Sequence, residues 1–197
     1  MDNRAVMGTY RQSNTTADAR KRHAGRRRWP ALALVAAVMC LAAGVGPARV
    51  ALADPTAESY VEQVGGGATI VPAGELLISG RRMQCGVRPT IIDPNLDDFG
   101  AAYPGFIILN PKKLGNVPPS VALWIYAHEC GHQMRGPDED RADCFAVQRG
   151  RRMGWLDATG VEEICTFITP AQGDSMHFSG PQRCQSIRRC FGEKKIY

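Results

Sequence analysis

None of the seven cysteines forms a C-x-x-C pair, the spacing that thiol oxidoreductases and cysteine-based zinc sites rely on. No apolar run is long enough to cross a membrane. The longest, residues 31–45, falls short of the ~20 residues a spanning helix needs. There is no internal repeat and no low-complexity tract. Basic charge is scarce where it would count. The formal net charge is +5, but residues 1–53 hold nine Lys/Arg against two Asp/Glu, leaving fifteen basic and seventeen acidic side chains in 54–197. That region has no surplus for holding nucleic acid or an anionic membrane surface. Arg149, Arg151 and Arg152 read as the solvated last turn of a helix.

What is present begins with an export pattern. Basic residues at 20–28 precede the apolar run, and Gly44, Gly46 and Pro47 break it. Ala51 and Ala53 then stand before Asp54 as a small-x-small cleavage site. This order describes a secretory signal peptide over 1–53, with a retained N-terminal anchor as the alternative. The expectation is a periplasmic or secreted chain with no membrane contact after cleavage. Six cysteines then remain: Cys85, Cys130, Cys144, Cys165, Cys184 and Cys190. An even count in an exported domain of this size points to as many as three disulfides. Fifteen pairings are open, although Cys184 and Cys190 lie too far apart along a helix to join each other.

Residues 54–67 read as a flexible lead-in ending in three glycines, with a domain over 68–197. Short β-like runs occupy 68–71, 76–79, 87–92 and 106–109, separated by proline and glycine. Helices follow at about 120–134, from an Asp138 cap to about 153, at 160–167, and from near 181. Strands first and helices afterwards make an α+β domain, a small sheet followed by a helical region. Residues 106–110 suit either an edge strand that pairs with extended substrate or a plain core strand.

The chain has only four histidines, and two of them stand in His128-Glu129-Cys130-Gly131-His132. Histidines four apart share one helical face and can reach one ion, while the glutamate beside the first stands near without binding. This is the constellation of a zinc hydrolase: two imidazole ligands and a general base for water. Zinc normally takes a third protein ligand. Glu139 heads the next helix and shares a face with Ala142, Asp143 and Ala146, whose small alanines would let the two helices approach. Asp138 is the rival ligand, ten residues after His128, though it also suits the helix cap. Asp143, one turn beyond Glu139, would accept the free ring N–H of a ligand histidine. Cys130 and Cys144 point away from the ligand faces.

Glu139-Asp140-Arg141-Ala142-Asp143 together with H-E-x-x-H resembles the paired motifs of gluzincin peptidases of the CAAX prenyl-protease type. Met176-His177-Phe178 with Arg183 is similar to that family's T-H-P…R-I segment, with Phe178 in place of the proline. The resemblance covers roughly residues 121–190. It implies Glu139 as third zinc ligand and Asp143 as a supporting group. Only six residues separate His132 from Glu139, where the family has a long insertion, and its transmembrane helices are absent. The implied protein is a minimal, exported, zincin-like metallopeptidase rather than a prenyl protease.

The expected cofactor is one Zn²⁺ held by His128, His132 and Glu139. Glu129 is the base, and the substrate is a peptide or protein. His177 would hydrogen-bond the oxyanion or fill the open zinc position, unless it is simply a packed or surface histidine. A competing reading is a non-catalytic exported binding module. There, His177 or a cysteine would complete the zinc sphere.

Overall fold

The computed structural model describes residues 54–173 and 178–193. The expected signal segment, 1–53, lies outside these residues, and so does His177.

The stretch expected as a flexible lead-in carries a helix, α1 (Ala57–Val64). Thr56 caps it by accepting a hydrogen bond from the Ser59 backbone, and the Tyr60 hydroxyl donates to Asp93 Oδ2 at 3.0 Å. Ala57 is buried with Ala68, Ile91, Phe106 and Ile108. Packing by one buried alanine and one tyrosine orders a segment whose own composition gives little reason for it.

Six short strands follow: β1 (Thr69–Val71), β2 (Leu76–Ile78), β3 (Arg81–Met83), β4 (Thr90–Ile92), β5 (Gly100–Tyr103) and β6 (Phe106–Leu109). The main sheet has the order β1-β4-β6-β5, with β4 and β6 parallel and the other pairs antiparallel. Strands β2 and β3 form a separate hairpin, turned at Ser79 and Gly80 with φ of 47° and 74°. Both positive values are what a tight primed turn demands.

Strand β6 is buried at all four positions. Ile107 and Leu109 join the core beneath the helices, while Phe106 and Ile108 join the α1 side. It is therefore an inner strand covered on both faces, which corrects the edge-strand expectation for 106–110. The terminal position next to it belongs to β5, which carries no strand signal in the sequence, since glycine and alanine make poor strand formers.

The helical part comprises α2 (Pro111–Leu114), α3 (Pro119–Arg135), α4 (Glu139–Arg152), α5 (Ala158–Ile168) and α6 (Gly180–Gly192). Helix α3 is buried continuously from Val121 to His128, because α4, α5 and the sheet surround it. Gly136, with φ of 84°, ends it. The architecture is α+β, a small mixed sheet followed by helices. No helix among the described residues is long and apolar enough to cross a membrane.

Three disulfides join Cys85 to Cys130, Cys144 to Cys190 and Cys165 to Cys184. The first ties α3 to the loop after the β2–β3 hairpin. The other two tie α6 to α4 and to α5. In the loop-entropy account, bridges spanning 45, 46 and 19 residues each restrict the unfolded chain substantially.

Candidate metal centre

His128 and His132 come together through the four-residue spacing on α3, with ring centroids 4.6 Å apart. Bringing Glu139 to them requires α3 and α4 to lie unusually close. The contact is made by Gly131, where a Cβ would sit 2.8 Å from the Ala142 Cα and 2.9 Å from its carbonyl oxygen. Each motif thus contributes a small residue to the crossing, and the connection between the helices is short. Asp138 is occupied as the N-cap of α4, its Oδ1 accepting from the Arg141 backbone at 2.9 Å. Glu139, at the next position, faces the histidines.

The polar atoms converge. His128 Nε2 lies 3.0 Å from His132 Nε2 and 3.2 Å from Glu139 Oε2, and His132 Nε2 lies 3.4 Å from Glu139 Oε1. The opposite ring nitrogens decide what these atoms are. His128 Nδ1 is 2.8 Å from Asp143 Oδ1, and His132 Nδ1 is 3.0 Å from the Gly136 carbonyl oxygen. Both partners are acceptors, so in the neutral rings each Nδ1 carries the hydrogen and each Nε2 presents a lone pair. Two lone pairs and a carboxylate then face one another, and Glu139 Oε2 has no hydrogen-bond donor. Such an array repels itself unless a cation stands between its members.

Protonation responds in that direction. Burial disfavours a charged His128, but Asp143 and then Glu139 outweigh it and push the imidazole up to about 10. Burial would raise Glu139, yet the two histidines, which become donors toward it once protonated, followed by the charges of His128 and Arg183, hold it well below the usual carboxylate range. The same donor set could hold a metal ion: two imidazole nitrogens and a carboxylate oxygen suit a divalent transition metal.

Around the donors lies a second layer of charge. Asp143 is fully buried and receives two hydrogen bonds from Arg183, Nε to Oδ2 at 2.7 Å and Nη2 to Oδ1 at 2.8 Å. Arg183 also stands 3.6 Å from Glu139 and 5.6 Å over the Trp124 ring, which packs against His128. Burial opposes ionisation of Asp143, but Arg183 and His128 keep its carboxyl below the ordinary value. The geometry expected for Asp143 is present. Arg183, singled out only through the family resemblance, proves to be its partner.

Glu129 occupies the same cleft, with Asp98, Phe99, Gly100, Trp124 and Phe167 among its walls. The cleft holds about 30 Å³, room for an ion or a water molecule. Burial pushes the Glu129 carboxyl above its ordinary value, against the lowering effect of the histidines. Gly100 makes this position possible, since a Cβ there would lie 3.0 Å from Glu129 Cγ.

Asp98 was not foreseen. Burial raises its carboxyl to about 6, although the Phe99 backbone N–H donates to it at 2.7 Å and opposes the shift. No spacing rule leads from Asp98 or Gly100 to α3, because a loop and a strand bring them there. The six cysteines among the described residues are all bridged, so none of them offers a free thiolate to an ion. In comparisons with protein-family models, curated proteins and solved structures, nothing matches the chain.

Proposed function

We propose that the protein is an exported zinc-dependent peptidase, of the zincin-like kind its motifs resemble. The observation that carries this reading is the meeting of His128 Nε2, His132 Nε2 and Glu139 within 3.0–3.4 Å of one another, with Glu129 in the same cleft. His128, His132 and Glu139 would hold the ion. When bound, zinc supplies a Lewis acid and lowers the pKa of water toward ~7.

The chain's own groups do the rest. A Glu129 carboxylate oxygen takes a proton from the attacking water and returns it to the leaving nitrogen of the amide. Burial, which lifts the carboxyl above its ordinary value, brings its basicity nearer the working pH. Asp143 keeps the His128 tautomer that offers Nε2, and Arg183 keeps Asp143 ionised in a buried place.

A peptide substrate is supported by β5. It is the terminal strand of the sheet, and it borders both the cleft of Glu129 and a neighbouring cleft of about 300 Å³ walled by His132, Gln133 and Ala102. An extended chain added to its outer edge would have its backbone hydrogen-bonded and one residue's side chain directed toward the larger cleft.

The test is metal analysis of purified protein together with digestion of a peptide library with and without chelator. About one zinc per chain is expected, with cleavage abolished by chelator. Glu129→Gln should keep the metal and lose about 10²–10⁴-fold of turnover. Most of the hydrolysis surviving in Glu129→Gln, or purified protein that retains no metal, would overturn the assignment.

A further inference from the structure

His132 forms a wall of two clefts, the small one that holds Glu129 and the larger one of about 300 Å³ beside it. Strand β5 borders both, with Gly100 at the first and Ala102 at the second. Residues two apart on a strand point to the same face, about 6–7 Å from each other. A chain lying along β5 with its reacting amide at Glu129 therefore brings a side chain one or two residues away to the larger cleft.

The walls of that cleft carry one permanent charge, Arg88, and no carboxylate. This arginine is half-buried and held in place. The Cys85–Cys130 disulfide fastens its loop to α3, its backbone N–H donates to the Cys85 carbonyl at 3.2 Å, and its Nε donates to Gln133 Oε1 at 2.9 Å. Gln133 is itself fixed. Its Nε2 donates to the carbonyls of Tyr103 and Phe106, and its Oε1 also accepts from the Gly105 N–H at 3.3 Å. One amide thus joins the guanidinium to the turn between β5 and β6.

With Nε taken, the outer pair of nitrogens remains. Nη1 meets the Met134 sulfur at 3.9 Å, a weak acceptor, and Nη2 has no hydrogen-bond partner among the described residues. No carboxylate among those residues pairs with Arg88, although 54–197 holds more acidic than basic side chains. A guanidinium held by one edge, unopposed in charge and set in a cleft wall matches a carboxylate, whose two oxygens fit the two outer nitrogens.

We propose that this cleft selects substrates by a carboxylate within about two residues of the scissile bond, with Arg88 as its receptor. This selectivity rests on the peptidase reading and adds a substrate class to it. The carboxylate belongs to an Asp or Glu side chain or to the free C-terminus of the peptide.

The test compares kcat/KM of the full chain, disulfides intact, on short end-blocked peptides that differ at one position, Glu, Gln or Lys. An alanine peptide with a free or an amidated C-terminus completes the set. Glu is expected to exceed Gln by at least about tenfold, with cleavage at a fixed distance from it. The same advantage for the free over the amidated terminus supports the cleft and assigns it the terminal carboxylate. Arg88→Gln should abolish the preference, and Arg88→Glu should turn it toward Lys. No preference for either carboxylate, or one that survives in Arg88→Gln, overturns the proposal. Isothermal titration with the same peptides in chelator reads the cleft without turnover. Should no peptide be cleaved, the peptidase reading falls and this titration decides the cleft alone. Carboxylate peptides bound at least about tenfold tighter than their amide partners, an advantage lost in Arg88→Gln, uphold Arg88 as the receptor. Equal affinity within each pair overturns it.

Discussion

Helix α4 has two faces built on opposite plans. Toward α3 it shows Glu139, Ala142, Asp143 and Ala146, two carboxylates among small apolar residues. Ala142 and Asp143 are fully buried, and Arg183 and the histidines balance the charge. Away from α3 it shows Arg141, Phe145, Gln148 and Arg152, long side chains around an open cleft. Small residues let backbones approach until polar atoms are fixed to within tenths of an ångström. Long cationic residues stand around an open cleft. The first face is rigid and intolerant; the second should be mutable with little cost to folding.

Asp143→Asn should break the tight face most severely. It leaves Arg183 buried opposite a neutral amide, for which about 3–5 kcal/mol of stability is expected to go. Metal affinity should fall about 10–100-fold as the acceptor that orients His128 loses its charge. Denaturant unfolding and a metal competition titration read the two effects separately. Gly131→Ala is next. A Cβ at 2.8–2.9 Å from Ala142 backbone atoms has nowhere to go, so α3 and α4 must separate, at about 1–3 kcal/mol. Metal affinity should fall by more than the stability loss alone explains, because Glu139 moves away from the histidines. An unchanged metal affinity in a folded Gly131→Ala variant would show that the close crossing is not what assembles the donors.

A smaller effect is expected at Asp98. Its carboxyl is raised from 3.8 to about 6 in the folded chain. The folded state therefore binds the proton more tightly than the unfolded one, and the associated stability is complete below pH ~4 and lost as pH rises through ~6. Asp98→Asn keeps an oxygen for the Phe99 N–H and cannot ionise. It should be more stable than the parent by about 1–2 kcal/mol at pH 8 and equal to it near pH 3, as followed by denaturant midpoints across pH. Smallest of all, Arg141→Ala on the open face should change stability by less than about 0.5 kcal/mol and leave metal affinity untouched. A large loss there would erase the contrast between the faces.

Much of the metal-site side of this contrast could be read from residue order. Histidines at 128 and 132, Glu139 and Asp143 are each defined by spacing along a single helix, and Asp138 is a cap by type and position. Ala142 and Ala146 announced close packing, whereas the partner glycine, Gly131, was hidden inside the motif that drew attention to its histidines. The open face offered no such signal. Arg141 and Arg152 belong to an unremarkable charged stretch, and Gln148 looks like any surface glutamine, although it is buried in the fold.

Helical periodicity, caps and turn residues act over a few positions, so residue order alone settled the α+β succession, the long helix α3 and the pair of imidazoles upon it. Contacts between distant segments obey no local rule. Which cysteines meet, the inner place of β6 with β5 outside it, the ordering of α1, and the arrival of Asp98 and Gly100 beside Glu129 were decided only when the sheet and helices closed on one another. Choosing Glu139 over Asp138 sits between the two: spacing admitted both, and the approach of α4 to α3 at Gly131 turned one toward the histidines while the other capped the helix.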